Sequence, residues 1–124
     1  MKVNPYHKYL GKEDMLQHAV INYVKYEYPK ALIIHVPNEG KRTKFMQYKV
    51  KYLGVVRGVP DVLIFNQNNK YTGLAIELKW GRNTPTEHQM IFLEKLKQCG
   101  WYASWENDFD TIKKTIDQYF KNEL

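Results

Sequence analysis

The sequence predicts an α/β fold in which a small mixed β-sheet is flanked by helices. Three observations support this prediction: apolar residues at helical spacing near both ends of the chain, short apolar runs of strand length between them, and a polar turn that separates two of those runs. The chain has 124 residues and is 44% hydrophobic, which is enough for one core but not for two. We therefore expect residues 1–124 to form a single domain.

The first part of the chain is predicted to alternate between helix and strand. Residues 12–28 carry an apolar stripe at helical spacing, and Pro29 ends the helix. Residues 31–36 are apolar and short enough for a strand, and residues 42–53 are predicted to form a basic helix that stops at Gly54.

A β-hairpin is predicted next, with the polar stretch 66–70 as its turn. The apolar runs 62–65 and 74–78 flank this turn and read as two antiparallel strands. If the hairpin is centred on Asn69, Asp61 and Glu77 lie opposite each other, with their Cβ atoms about 5 Å apart.

The last part of the chain is predicted to form helix, strand and helix. Thr84-Pro85-Thr86-Glu87 is typical of a capping box, with Thr84 at the N-cap, Pro85 at the first helical position and Glu87 at the third. This helix is expected to run to about Gln98 and to end at Gly100. The predicted elements that follow are a strand over 101–105 and a helix over 108–121.

Strand alternation gathers three charged residues on one face of the predicted sheet. Ala75, Glu77 and Lys79 point to one side, while the leucines and the isoleucine between them point to the other. Asp61, opposite Glu77, joins this group. Two carboxylates at that separation can share one divalent cation, and their mutual repulsion makes a cation necessary if both are ionised.

These residues resemble the motif of the PD-(D/E)XK nuclease superfamily. The resemblance rests on Gly58-Val59-Pro60-Asp61, on Ile76-Glu77-Leu78-Lys79 and on Gln89 in the following helix. Within the superfamily the chain is most similar to the VRR-NUC domain family, including its stand-alone members from phages, over roughly residues 13–120. The resemblance implies a restriction-endonuclease-like core.

The resemblance also implies the roles of individual residues. Asp61, Glu77 and the backbone carbonyl of Leu78 would be the metal ligands, and the cofactor would be Mg²⁺ or Mn²⁺. Lys79 would orient or activate the attacking water, and Gln89 would orient Lys79 or a phosphate. An acidic residue on the first helix would support the site; Glu13 is our choice, with Asp14 as the alternative.

The charge of the chain indicates a polyanionic partner. Nineteen Lys and Arg against thirteen Asp and Glu give a formal net charge of +6. The excess concentrates between Gly40 and Pro60, which contain no acidic residue. Such a segment can neutralise several DNA phosphates, although a solvated basic helix would have the same composition. The candidate DNA-binding residues are Lys41, Arg42, Lys44, Lys49 and Arg57.

The predicted function is therefore a metal-dependent DNA endonuclease. Cleavage selective for branched DNA such as Holliday junctions is expected, because 124 residues leave little room for a sequence-reading module. The resemblance implies a homodimer, for which the exposed candidates are Tyr6, Tyr9 and Tyr52. Two alternatives stay open: a non-catalytic nucleic-acid-binding subunit with the same fold, and a sequence-specific restriction enzyme.

Several other classes are disfavoured by the sequence. The chain has no apolar run of membrane-spanning length and no apolar signal core near Met1. Its glycines are dispersed and form no phosphate-binding loop, so no nucleotide cofactor is expected. The single cysteine, Cys99, cannot form an internal disulfide. We expect a cytoplasmic protein, in the infected host cell if a phage encodes it.

Overall fold

The structure is a computed structural model that describes residues 3–37 and 43–124. These residues form four α-helices and four β-strands, preceded by one 3₁₀ turn at His7–Tyr9. The helices are α1 (Lys12–Glu27), α2 (Lys44–Tyr52), α3 (Glu87–Gln98) and α4 (Phe109–Phe120). The strands are β1 (Ile33–His35), β2 (Val62–Ile64), β3 (Leu74–Leu78) and β4 (Tyr102–Glu106). The predicted order of helices and strands is confirmed.

The four strands form one mixed sheet in the order β1-β2-β3-β4. β2 is antiparallel to both β1 and β3, whereas β4 is parallel to β3 and reaches it through the α3 crossover. The register pairs Val62 with Ile76 and Ile64 with Leu74, so the hairpin is centred on Asn69 as predicted. Continuing this register by one residue brings Asp61 opposite Glu77.

Helices cover both faces of the sheet. Leu74, Ile76 and Leu78 point to one face, where they form the main core with buried residues of α1 and α4. Ala75 points to the other face and packs with Leu93 of α3 and Ala103 of β4. Each fully buried aliphatic side chain contributes about 1.5–3 kcal/mol by leaving water. The predicted α/β class, a small mixed sheet flanked by helices, is confirmed.

A polar contact joins α1 to α4 beside this core. The hydroxyl groups of Tyr23 and Tyr28 both donate hydrogen bonds to the Asp117 carboxylate, the latter at 2.6 Å. Burial alone would raise the pKa of Asp117, but these two hydrogen bonds hold it below its ordinary value. The contact joins the C-terminal part of α1 to α4.

Several predicted element boundaries are wrong, among them those of α2, which covers Lys44–Tyr52 and not 42–53. The first strand covers only Ile33–His35 instead of 31–36, although Val36 still donates its N–H to the Asp61 carbonyl at 2.9 Å. The last strand is shifted by one residue, to Tyr102–Glu106. The capping box of α3 begins at Thr86 and not at Thr84, because the Thr86 hydroxyl accepts from the Gln89 N–H and the Gln89 side chain accepts from the Thr86 N–H.

Helix α2 packs little against the rest of the described chain. Thr43 caps it by accepting a hydrogen bond from the Met46 N–H at 3.1 Å. None of its residues is buried, and of the predicted apolar side only Val50 is partly covered, since Met46 and Leu53 are exposed. Within the described ranges, no helix has both the length and the apolar character that crossing a membrane requires.

Candidate metal centre

Asp61 lies at the start of β2 and is held there by its neighbours. Its side chain is buried, and its Oδ2 accepts a hydrogen bond from the Leu78 N–H at 2.9 Å. Its backbone carbonyl accepts from the Val36 N–H at 2.9 Å and lies 3.0 Å from Nδ1 of His35. These contacts tie the carboxylate to both neighbouring strands, so its position is set by the sheet.

Gly58 explains why the Asp61 segment can approach α3 closely. Its φ is +85°, a conformation that glycine adopts without strain. A Cβ at this position would lie 2.4 Å from the His88 carbonyl oxygen at the beginning of α3. The glycine three residues before Asp61 therefore lets the chain pass directly over the first turn of that helix.

Glu77 is the most deeply buried acidic residue among those described, with only 1% of its surface exposed. It lies on β3, on the face of the sheet that α3 covers. Burial, followed by the adjacent Asp61 carboxylate, raises the pKa of Glu77 to about 8, while Lys79 opposes this rise. Its Oε1 has no hydrogen-bond partner in the part of the chain that the structure describes.

Glu13, in the first turn of α1, completes a cluster of three carboxylates. One oxygen each from Glu13, Asp61 and Glu77 lies within 4.8 Å of the others. Burial and then the charge of Asp61 raise the pKa of Glu13. Asp14 instead turns back along the helix and accepts a hydrogen bond from the Gly11 N–H at 2.9 Å. The structure thus brings Glu13, and not Asp14, to the cluster.

Lys79 and Gln89 both contact the same oxygen of Glu77. The Lys79 ammonium lies 3.4 Å from Oε2 of Glu77, and its side chain is only 12% exposed. The Gln89 Nε2 donates a hydrogen bond to that Oε2 at 3.3 Å. The Gln89 Oε1 accepts from the Thr86 N–H at 2.8 Å, so the amide links the start of α3 to Glu77. Gln89 thus contacts the Glu77 carboxylate, whereas the sequence led us to expect that it orients Lys79 or a phosphate.

The remaining predicted residues lie away from the cluster or outside the described ranges. Lys44 and Lys49 are on exposed positions of α2, and Arg57 is exposed on the turn before Gly58. Lys41 and Arg42 lie outside the described residues. The Leu78 side chain belongs to the core on the opposite face, so only its backbone can take part in the site.

Two polar residues outside the predicted set of site residues, Gln17 and Glu106, have a buried side-chain atom without a partner among the described residues. Gln17 lies one helical turn after Glu13, and its buried Nε2 has no acceptor among residues 3–37 and 43–124. Glu106 is opposite Leu78 in the β3–β4 register, and its Oε1 accepts from the Thr115 hydroxyl at 2.7 Å. Glu106 therefore points to the α4 side of the sheet, away from the cluster. In the sequence, Glu106 directly follows the predicted strand 101–105, and no other pattern distinguishes it.

The cluster has the properties of a site for a hard divalent cation. Its ligand atoms are all carboxylate oxygens, which Mg²⁺ and Mn²⁺ prefer. Three carboxylates this close can all be ionised only if positive charge compensates them, and the single ammonium of Lys79 supplies one such charge. The unpaired buried Oε1 of Glu77 is a free ligand position. The described residues fit such a metal ion.

The mixed sheet, its helical layers and the acid-acid-lysine site together define a nuclease-type α/β domain. The family model of the VRR-NUC domain matches residues 7–104. The chain belongs to the VRR-NUC domain family, a family of nuclease domains.

Two solved structures have the same fold. One, described as a VRR_NUC domain protein, is 30% identical, with a TM-score of 0.74, and the match covers 90% of each chain. The other, described as a VRR_NUC domain, is 20% identical with a TM-score of 0.52, and the match covers 84% of this chain and 97% of that chain; at this identity it supports the fold alone. No curated protein matches the chain.

Proposed function

We propose that this protein is a metal-dependent DNA endonuclease whose active site is the cluster of Glu13, Asp61 and Glu77. One observation carries the proposal: three carboxylates from separate elements lie within 4.8 Å of one another, beside a nearly buried lysine. Membership in a nuclease family supports it. Burying an acidic side chain such as Glu77 costs free energy, and a cluster of acids without a function would not offset that cost.

The metal ion would be held by Asp61, Glu77 and the backbone carbonyl of Leu78, with Glu13 as the supporting acid. Leu78 donates its N–H to Asp61, and in an extended strand the N–H and C=O of one residue point to the same edge. The Leu78 carbonyl is therefore directed toward Asp61. When bound, Mg²⁺ or Mn²⁺ would stabilise the negative charge that develops on the phosphoryl oxygens.

Lys79 and Gln89 would control the geometry around Glu77. Lys79 would orient the attacking water and add a positive charge near the scissile phosphate. Gln89 donates a hydrogen bond to Oε2 of Glu77, and Oε1, which has no partner among the described residues, would be available to a cation. Because the Thr86 cap positions Gln89, the start of α3 would hold the Glu77 carboxylate in place.

The substrate would be branched DNA, such as a Holliday junction. The exposed basic residues Lys44, Lys49 and Arg57, together with Lys41 and Arg42, would contact phosphates and set affinity without reading sequence.

We further propose one functional domain over residues 1–124. It would act as a homodimer, whose two active sites could address two strands of opposite polarity.

A cleavage assay tests this function. Purified protein is incubated with linear, flapped and four-way DNA, with Mg²⁺, Mn²⁺ or EDTA. We expect metal-dependent cutting that Glu77→Gln and Lys79→Ala each reduce at least about a hundredfold, because each removes a group at the reacting phosphate.

The matched control is Glu106→Gln. It makes the same chemical change at a buried carboxyl on the opposite face of the sheet, so it should retain cleavage within about threefold. Cutting in EDTA, or full activity of Glu77→Gln, would reject the site. Binding of DNA by the wild type without any cutting would favour the alternative, a non-catalytic subunit.

A salt titration tests the proposed DNA-binding residues. Replacing Lys44, Lys49 and Arg57 with Ala should weaken binding to every DNA sequence and reduce the slope of log K against log salt by about 1 for each lost phosphate contact. The control replaces Lys25, Lys30 and Lys114, three exposed lysines outside this segment. Equal slopes for the two triple variants would remove α2 and Arg57 from the DNA footprint.

A further inference from the structure

The outward face of α2 carries three exposed aromatic side chains. Phe45, Tyr48 and Tyr52 are 68%, 66% and 77% exposed. At 100° per residue they lie within an arc of about 60° on the helix. The rings of Tyr48 and Tyr52 stack on each other, with centroids 6.1 Å apart and planes 25° from parallel. Helices usually turn such a stripe inward, so an exposed one indicates a binding surface.

Lysines border this aromatic stripe on both sides. On the helical wheel Lys49 follows Phe45 on one side, and Lys44 and Lys51 lie beyond Tyr48 on the other. The described residues 43–60 include no acidic residue. If a second copy docked through the same face, lysines would meet lysines, which is unfavourable. A partner with flat apolar rings and negative charge matches both features.

We propose that this aromatic stripe of α2 stacks on unpaired nucleobases while its flanking lysines contact the adjoining phosphates. The bases of an intact duplex are stacked on one another and hide their faces, whereas an unpaired strand exposes them. The inference rests on the proposed nuclease function, in that it takes the polyanion to be DNA. It makes that function more specific: the preferred substrate contains a single-stranded segment, as a flap or an open junction does.

Eight residues, 53–60, separate α2 from Asp61, and Arg57 is the basic residue among them. Residues 53–60 connect Tyr52 to Asp61, and Gly58 in this connection lies against the start of α3. A groove of about 250 Å³ beside it is lined by three basic or imidazole side chains and three apolar ones: Arg57, His88, Lys95, Val56, Ile91 and Phe92. An unpaired strand held on α2 can therefore run along this groove toward Gln89 and Glu77.

A binding experiment in EDTA separates this inference from catalysis, since no DNA is cut. Fluorescence anisotropy is measured with a single-stranded oligonucleotide and with a blunt duplex of the same sequence. We expect Tyr48→Ser/Tyr52→Ser to weaken binding of the single strand at least about fivefold, which corresponds to the lower end of the stacking contribution of one base. Binding of the duplex should change less than about threefold. 2-Aminopurine in the single strand should report stacking with the wild type and not with the double serine variant.

Two variants serve as controls. Tyr48→Phe/Tyr52→Phe keeps the rings and should retain binding of the single strand. Tyr26→Ser removes an aromatic residue that is 86% exposed on α1 and should change nothing. Circular dichroism verifies that all variants fold.

Three results would overturn the inference: failure of the wild type to bind the single strand, an unchanged affinity in the double serine variant, or an equal loss on single strand and duplex. Conversion of a dimer to a monomer by the serine variant, with the single-strand preference intact, would identify the stripe as a subunit interface instead. Failure of the wild type to cleave any DNA in Mg²⁺ or Mn²⁺ would count against the proposed function and leave these binding results unaffected.

Discussion

Glu77 is an acidic residue in a buried position, where its ionised form is disfavoured. Only 1% of its surface is exposed, and burial together with Asp61 raises its pKa to about 8. The described neighbours compensate this carboxylate only partly, through Lys79 and Gln89 on one oxygen. A residue of this kind reduces the stability of the metal-free protein, and a cation at the cluster would restore it.

Glu106 offers a test of the burial argument away from the metal ligands. Burial raises its pKa above the ordinary value of 4.5, although the hydrogen bond from Thr115 opposes this. The folded state therefore binds this proton more tightly than the unfolded state. The resulting stabilisation is fully present below about pH 4.5 and is lost as pH rises through the raised pKa.

We predict that Glu106→Gln gains stability relative to the wild type as pH increases, because the amide never ionises. Urea unfolding of both proteins in a chelator at about pH 5 and about pH 8 measures the change. A stability difference between the two proteins that is the same at both pH values would contradict the prediction.

At the scale of single residues, the sequence predicts which residues lie opposite each other in the hairpin. It does not decide between two similar residues that are close in the chain. Asp61 and Glu77 were paired from the centre of the turn alone, and the register confirms that pairing. Thr84 and Thr86 both have an acid or amide three residues later, so the capping rule fits either one. The cap at Thr86 is the one that lets Gln89 reach Glu77, and this tertiary contact is not visible in a local pattern.

At the scale of the elements, Gly58 controls how the Asp61 segment sits on α3. We predict that Gly58→Ala destabilises the protein and lowers both metal binding and cleavage, because the added Cβ would lie 2.4 Å from the His88 carbonyl oxygen. Gly54 also has a positive φ, +88°, but a Cβ there would meet nothing within 4 Å. Gly54→Ala therefore isolates the backbone strain, about 1–3 kcal/mol, from the clash.

Thermal unfolding and cleavage rates of the two alanine variants measure this difference. Gly58→Ala should lose more stability than Gly54→Ala and should lose cleavage as well. Equal effects of the two substitutions would show that the close approach to α3 does not matter to the site.

Periodicity predicted the elements themselves well but not what they pack against. The helices 12–28 and 108–121 and the hairpin strands were predicted within about one residue, because each buries a continuous apolar face. Helix α2 has a similar pattern, yet its apolar residues remain exposed. A pattern defines a helix and its faces, while the partner of each face depends on the rest of the fold or on another molecule.

At the scale of the whole molecule, the candidate site exists only because distant segments converge at one end of the sheet. Glu13 comes from α1, Asp61 from the start of β2, Glu77 from β3 and Gln89 from α3. The β2–β3 pairing brings two of them together, and the packing of α1 against the sheet and α4 brings the third carboxylate. The choice of Glu13 over Asp14 could not be made from sequence, because it depends on that packing.

Direct measurement of cation binding tests the central claim most simply. Mn²⁺ is titrated into the metal-free wild type, Glu77→Gln and Glu106→Gln in a calorimeter, without DNA. We predict that the wild type and Glu106→Gln bind Mn²⁺ alike and that Glu77→Gln binds at least about tenfold more weakly. Equal Mn²⁺ affinity in all three proteins, or no binding by the wild type, would contradict the assignment of this carboxylate cluster as a metal centre.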